Sequence, residues 1–361
     1  MIRLSNSQQF FFELLRAGLW VHEARLSKHY NIDYPAIMQM AEEQSVVGVV
    51  TAGLEQVSDV TVPKEMLLQF IGSTLQIEQQ NKDMNGFVAR LIELLRKRDV
   101  YTLLVKGQGI AQCYERPLWR SCGDVDLFLS ENNYERAKEI LIPLSSDVEK
   151  EFKLLKHIGM TVNGFVVELH GTQRIRLTRR IDREIDEVQK ECFYGGEVRS
   201  WQNGNTQVFL PGANQDVIFV FTHILQHLFI EGIGLRQICD WSRLLFTYRE
   251  SIDQKRLENH LKAMGLMTEW RAFASLAVDW LGMPANKMPL YDSGFKSKGS
   301  RLLSFVLETG NFGHNRERGG GSIKTLTRRT KDAFKMMRIF PIDAWKMYFG
   351  MIRTGLIIKA E

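Results

Sequence analysis

The sequence predicts an α+β fold: a small mixed β-sheet with its helices, wrapped by N- and C-terminal helical regions. Three observations predict it. Apolar residues recur three and four apart from residue 6 to about 98 and again from 213 to 310, which is the spacing of one helix face. Between these regions the period shortens, and YTLLVK, GDVDLFL, GMTV and FVVELH are apolar or alternating runs of strand length. The Asn163-Gly164 pair between the last two runs is a tight-hairpin dipeptide, so the sheet contains an antiparallel pair.

Taken in order, FFFELLRAGLW and YPAIMQMAEEQSVVGVVTAGL read as amphipathic helices, with Pro35 in a first turn where its missing N–H costs nothing. Residues 63–98 continue through MLLQFIGSTLQIEQQ and FVARLIELLRKR, closing on basic residues that suit a helix C-terminus. These segments read as packing elements. YTLLVK (101–106) is a strand candidate, followed by GQG and a short helix, IAQCYE. RSCGDVDLFL (120–129) is the next strand, NYERAKEILIPL a helix, and GMTV (159–162) with FVVELH (165–170) a hairpin. DVIFVFTHILQHLF, LRQICDWSRLLF and EWRAFASLAVDWLG then present long apolar helix faces. GNFGHNRERGGGS (310–322) is a flexible connection by composition, and two cationic amphipathic segments divided by Pro341 follow it. The organisation expected is a helical region (1–80), an α/β core (81–205), a helical domain (206–314) and a basic amphipathic tail (315–361).

Composition narrows the classes of function. At 361 residues the chain has room for two domains, and 44% hydrophobic with 25% charged residues is ordinary for a globular protein. Cys113, Cys122, Cys192 and Cys239 lie far apart with no C-x-x-C pair, which argues for reduced thiols in a cytoplasmic protein rather than a disulfide framework or a zinc site. The opening MIRLSNSQQFFFELL turns polar too soon for a signal peptide, and the most apolar run, 217–230, is too short and polar for a membrane span. The net charge of +5 is uneven: residues 315–361 carry eleven Lys/Arg and four Asp/Glu, leaving about −2 for the rest.

The chemistry gathers in the middle. Asp124 and Asp126, two apart on a strand, project from one face while Val125, Leu127 and Leu129 take the other. Two carboxylates at one point repel and desolvate poorly, and a divalent cation is a common reason to place them so; solvated turn aspartates at a strand end are the plain alternative. Glu168, between apolar neighbours in FVVELH, is a third acid on a half-buried strand. If the two strands are neighbours, three carboxylates converge, enough to hold divalent ions. Lys106-Gly107 stands where a strand ends and a helix begins, a junction that suits phosphate, with Lys106 as a point charge; an ordinary strand-to-helix turn has the same appearance. His170 shares the parity of Glu168 and orients it, contacts substrate, or faces solvent at a strand end, and His157 precedes GMTV within reach of the same place.

LLVKGQGIAQCYERPLWRSCGDVDLFL, with VVELHG some forty residues later, resembles the uncharacterised nucleotidyltransferase family of the DNA polymerase β-like superfamily. The similarity extends to FFELLRAGLW, THILQHL and LRQICDWSRLL, so it covers most of the chain. The resemblance implies a minimal nucleotidyltransferase core using Mg²⁺ or Mn²⁺ and a nucleoside triphosphate. By that resemblance Asp124 and Asp126 are metal ligands and Glu168 the third acidic residue, and Lys106, Gly107, Gln108, Arg120 and Gly123 lie about the nucleotide. It implies in-line attack of an acceptor hydroxyl on the α-phosphorus with release of pyrophosphate, Glu168 or Asp126 being the candidate base. The acceptor is a small molecule, a sugar-linked precursor or a protein. Two departures stand out: Gln108 follows Gly107 where the superfamily has serine or glycine, unless Gly109 is the operative glycine, and Glu168 stands where many members carry aspartate. A catalytically silent, nucleotide-binding or scaffolding protein retaining the fold is the rival expectation.

His223 and His227, four apart on one helical face, read first as hydrogen-bonded core histidines; a metal pair would need a third ligand, for which Asp240 is the nearby residue. Because the resemblance includes their helix, a substrate contact is their functional option. The tail has three readings, in this order: its apolar face packs on the body, it rests on an anionic membrane surface, or it meets nucleic acid. The localisation expected is cytoplasmic, with membrane-peripheral contact through the tail as its variant.

Overall fold

The computed structural model describes residues 4–26, 32–311 and 321–354, so most of the connection expected over 310–322, and the end of the tail, lie outside the described residues. The fold is α+β. The chain divides into two compact units: Met1–Thr74 with Ile175–Asp182 and Val220–Glu361, and Leu75–Arg174 with Arg183–Phe219.

In chain order, α1 (Asn6–Trp20), α2 (Tyr34–Glu43) and α3 (Val47–Leu54) open the first unit. A capping box starts α1: the Gln8 N–H donates to Ser5 Oγ at 3.2 Å and the Ser5 N–H donates to Gln8 Oε1 at 3.0 Å. Gly18 and Gly53 let α1 and α3 cross backbone to backbone, since a Cβ at either would come 1.9 Å from a carbonyl oxygen of the other helix. The long helix α4 (Lys64–Arg96) leads into the second unit.

There the chain forms β1 (Leu103–Val105), α5 (Gly107–Ala111), β2 (Asp124–Phe128), α6 (Glu131–Leu141), β3 (Ser145–Val148), β4 (His157–Val162), β5 (Phe165–His170), α7 (Arg179–Tyr194, its first turn in the first unit), β6 (Val198–Asn203) and β7 (Thr206–Pro211). Five strands make one sheet in the order β1-β2-β5-β4-β3, with β6 and β7 a separate hairpin. Only β2 and β5 run parallel; every other pair is antiparallel. Asn163 and Gly164 join β4 to β5 with φ of +50° and +82°, the backbone that a two-residue hairpin requires. Period-2 alternation then sorts the sheet into two faces. Val125, Leu127, Val167, Leu169, Ile158 and Met160 form one face, buried with Phe87, Val88, Leu91 and Leu95 of α4 and Tyr134 and Leu141 of α6. The opposite face carries Asp124, Asp126, Glu168 and His170.

The first unit resumes with α8 (Ala213–Ile230, its opening residues in the second unit), α9 (Leu235–Thr247), α10 (Gln254–Met264), α11 (Met267–Asp279), α12 (Lys296–Thr309), α13 (Gly321–Met337) and α14 (Pro341–Thr354). Its centre is aromatic: Phe221, Trp241, Trp270 and Phe273 meet at centroid distances of 4.8 to 6.2 Å. The four cysteines are free thiols. Among the described residues no helix is long and apolar enough to cross a membrane.

The second unit contains elements that the periodicity did not predict: α7, the short edge strand β3, and the β6–β7 hairpin. The predicted helix IAQCYE is shorter and earlier than expected, closing at Ala111.

Candidate active site

The carboxylates meet because of register. In the parallel β2–β5 pair Asp126 stands opposite Glu168, and Asp124 opposite Val166. Oxygen atoms of Asp124, Asp126 and Glu168 all lie within 4.8 Å of one another. The antiparallel β4 brings Gly159 beside Glu168 and His157 beside His170 on the same face. Phe128, at the far end of that face, packs its ring on Phe193 at 4.6 Å and Phe219 at 5.6 Å, which closes that end with apolar surface.

A lysine and two histidines are set against this negative charge. Lys106 Nζ donates to Asp126 Oδ1 at 2.8 Å, its side chain 16% exposed and that of Asp126 3%. His170 Nε2 donates to the same oxygen at 2.8 Å and lies 3.4 Å from Glu168 Oε2, while His157 Nε2 donates to Glu168 Oε2 at 3.2 Å. The charges set each pKa. Burial opposes ionisation of Asp126, but the Lys106 charge and the His170 hydrogen bond outweigh it and hold Asp126 below the usual carboxylate range. Burial opposes Glu168 likewise, and hydrogen bonds from His157 and His170 drive it far below that range. Burial disfavours the Lys106 ammonium, yet the carboxylates of Asp126, Glu168 and Asp124 raise its pKa. His170 is raised as well: burial and the Lys106 charge work against it, and its bonds to Asp126 and Glu168 prevail. Asp126 and Glu168 are thus held firmly ionised.

The turn before the site is under backbone strain. Lys106 has φ +57° and ψ −144°, a conformation that a residue with a Cβ rarely adopts and that costs about 1–3 kcal/mol. Gly107 follows with φ +34°, and a Cβ there would sit 3.4 Å from the Asp124 carbonyl oxygen. From this turn the Lys106 ammonium reaches Asp126. Replacing Lys106 with Met removes the cation and leaves the buried Asp126 carboxylate with one donor fewer. We expect a loss of roughly 2–3 kcal/mol in denaturant unfolding, below the full cost of an unpaired buried charge because His170 still donates to Asp126. A variant as stable as the parent would mean that the ion pair contributes nothing.

The remaining residues singled out by sequence take different places. The Gln108 side chain is buried, donating to Asn81 Oδ1 at 3.3 Å and accepting from Cys122 Sγ at 2.7 Å. Arg120 is buried too, its Nη1 donating to Cys122 Sγ at 2.9 Å and its carbonyl accepting from Asn81 Nδ2 at 2.8 Å. Both therefore brace the loop that leads to Asp124, and Gly123, just before the acid, has open space where a Cβ would be. His223 and His227 belong to the first unit, their rings in edge-on contact at 4.3 Å, and His227 Nδ1 lies 3.4 Å from Glu231. Sequence reasoning missed Glu149. Its carboxylate fills the place of a side chain at Gly159, with an oxygen 2.6 Å from where the Cβ would be, so a fourth acid reaches the strand position next to Glu168. No sequence signal marks it, because it acts through a glycine on a neighbouring strand.

The donors fit a hard divalent cation. Three carboxylate ligands on two paired strands match what Mg²⁺ or Mn²⁺ accepts, and a lysine and a histidine are drawn to one of them, Asp126. A family model described as uncharacterised nucleotidyltransferase matches residues 30–282, a span that takes in every strand and every member of the carboxylate cluster. No curated protein and no solved structure matches the chain. The match takes in the THILQHL and LRQICDWSRLL helices and the E-x-H strand but begins after FFELLRAGLW (residues 11–20), and with most of its length covered the chain belongs to the uncharacterised nucleotidyltransferase family.

Proposed function

We propose that the protein transfers a nucleoside monophosphate from a nucleoside triphosphate to a hydroxyl acceptor with release of pyrophosphate, using Mg²⁺ or Mn²⁺ held by Asp124, Asp126 and Glu168. One observation carries the reading: three carboxylates from two paired strands converge within 4.8 Å on the face opposite the core, beside a strained Lys-Gly turn. Bound there, a divalent ion neutralises phosphate charge and lowers the pKa of a coordinated hydroxyl.

The chain's own residues supply the rest. With a divalent cation held by Asp126, Lys106 would be free to present its ammonium to the triphosphate, and Gly107 would admit the phosphates close to backbone. Five residues of α5 give little helix dipole, so this contact depends on the lysine. Glu168 and Asp126, held so firmly ionised, accept protons poorly; their service is to hold charge, and the acceptor's proton leaves to solvent. In the bond balance the acceptor oxygen joins the α-phosphorus as the bond to the β-phosphate oxygen breaks. The acceptor is a small molecule, a sugar-linked precursor or a protein hydroxyl.

Thermal melts with each of the four triphosphates test nucleotide binding. With Mg²⁺ or Mn²⁺, one of them at about 100 times its Kd should stabilise by about 2.7 kcal/mol and raise Tm by roughly 5 °C. No shift with any triphosphate and either metal would favour a silent scaffold, the reading that the buried Gln108 side chain at the turn supports. Label transfer from an α-labelled triphosphate into cell extract would then identify the acceptor class.

A further inference from the structure

The α13–α14 hairpin has two apolar faces, and its own unit covers only one of them. Met336, Phe340, Ala344, Met347 and Met351 are buried, each at most 2% exposed, so the hairpin is docked. The docking is close: a Cβ at Gly350 would collide with the Leu177 carbonyl oxygen at 1.7 Å. A second face looks outward. Phe334, Ile342, Trp345, Phe349 and Ile352 are 41% to 67% exposed and recur at helical spacing. They form one cluster across the two helices, Trp345 stacking on Phe349 at 5.2 Å and meeting Phe334 at 6.1 Å.

The rim of this face is mostly cationic. Lys331, Lys335, Arg338 and Lys346 are exposed at the same helical spacing, whereas the acids of the segment, Asp332 and Asp343, are half-buried. Lys335 pairs with Glu308 and Lys346 with Asp343, both exposed pairs that hold a cation only weakly. A contiguous exposed apolar patch marks a contact surface. Aromatic rings with a tryptophan among them, ringed by more lysine and arginine than exposed acid, match the boundary of an anionic bilayer, where rings sit at headgroup level and cations meet lipid phosphates. A second copy of the chain fits less well, since a two-fold contact would set the same four cations against one another.

We propose that the outer face of α13–α14 rests on an anionic membrane surface, with Trp345 and Phe349 at the headgroup level and Lys331, Lys335 and Arg338 on lipid phosphates. The protein is thereby a peripheral one, held by a hairpin whose inner face belongs to its fold.

Flotation of the full chain with vesicles tests this. Vesicles of phosphatidylcholine with phosphatidylglycerol should bind it at least roughly tenfold more tightly than pure phosphatidylcholine. Trp345→Ser with Phe349→Ser should lose that binding, and Lys331→Glu with Lys335→Glu and Arg338→Glu should lose the preference for phosphatidylglycerol. All five positions are exposed, so both variants should keep the parent's Tm and any nucleotide-induced shift. Equal binding to both vesicle types, or binding that neither variant alters, overturns the proposal. So does a parent that ignores vesicles: a dimer in light scattering, dispersed by the aromatic variant, would assign the face to a second copy, and binding to poly(U) lost in the charge variant would assign it to nucleic acid.

Discussion

Asp124→Asn combined with Asp126→Asn should reduce nucleotidyl transfer from an α-labelled triphosphate by roughly a thousandfold or more, the scale of several kcal/mol that a catalytic cation supplies in phosphoryl chemistry. Asparagine keeps the shape of each side chain and its capacity to accept from Lys106 and His170, so the loss is one of charge. The chain should stay folded: Val125 and Leu127, on the other face of β2, are untouched in the core, and Glu168 remains as a partner for both histidines. Metal binding followed without turnover, by Mn²⁺ paramagnetic resonance, should weaken in parallel. Transfer that persists within tenfold of the parent would show that the three acids are a structural charge network. A second outcome is informative in another way. If Mn²⁺ binding is lost but no triphosphate was ever turned over by the parent, the site is a metal site and the nucleotide assignment fails alone.

The strands of this site were readable for a physical reason. Alternation with period two fixes which residues share a face, so Asp124 with Asp126, and Glu168 with His170, follow from the letters once a strand is assumed. That the two strands are parallel neighbours, with Asp126 opposite Glu168, has no local signature, because pairing across some forty residues depends on the whole sheet. The metal reading therefore required the register as well as the acids. Lys106 illustrates a further limit: a lysine before a glycine is common, and what distinguishes this one is a positive φ that no propensity reports.

The elements that escaped the periodicity did so for separate reasons. β3 is SSDV, mostly exposed on the sheet edge, and it is a strand because β4 offers it hydrogen bonds. β6 is VRSWQN, with polar residues on both faces, so its alternation is weak even though Asn203-Gly204 at its end carries the same hairpin signal as Asn163-Gly164. α7 was legible in principle: Ile181, Ile185, Val188 and Cys192 are its buried residues, spaced four, three and four apart within an otherwise charged run. In the tail the helical spacing announces both helices, but a cationic amphipathic segment with aromatic residues all round does not say which apolar residues its fold covers. The burial of Met336 and Met347 against the exposure of Phe334 and Trp345 makes that division.

Glu269→Gln should stabilise the first unit at pH 8 and leave it nearly unchanged at pH 4.5. Glu269 lies in the first turn of α11, fully buried and beside the Asp343 carboxyl. Burial, aided by the like charge of Asp343 in α14, pushes its pKa up to about 8 from an ordinary 4.5. The folded chain thus keeps a proton that the unfolded chain gives up above pH 4.5. A group bound more tightly to its proton in the folded state stabilises at low pH, and that stability is lost as pH rises from 4.5 to 8. At 1.36 kcal/mol per pH unit the loss across this window is on the order of 5 kcal/mol. Glutamine is neutral throughout, so its variant should lack this fall and exceed the parent by roughly 3–5 kcal/mol at pH 8. Fluorescence is a suitable probe, because Trp241 and Trp270, 4.8 Å apart in the aromatic centre of the same unit, report its unfolding. A variant less stable than the parent at both pH values would mean that the Glu269 carboxyl makes a contact worth more than its desolvation. A parent whose stability is flat between pH 4.5 and 8 would mean that the carboxyl is ionised in the fold, with a cation such as Lys298 drawn to it.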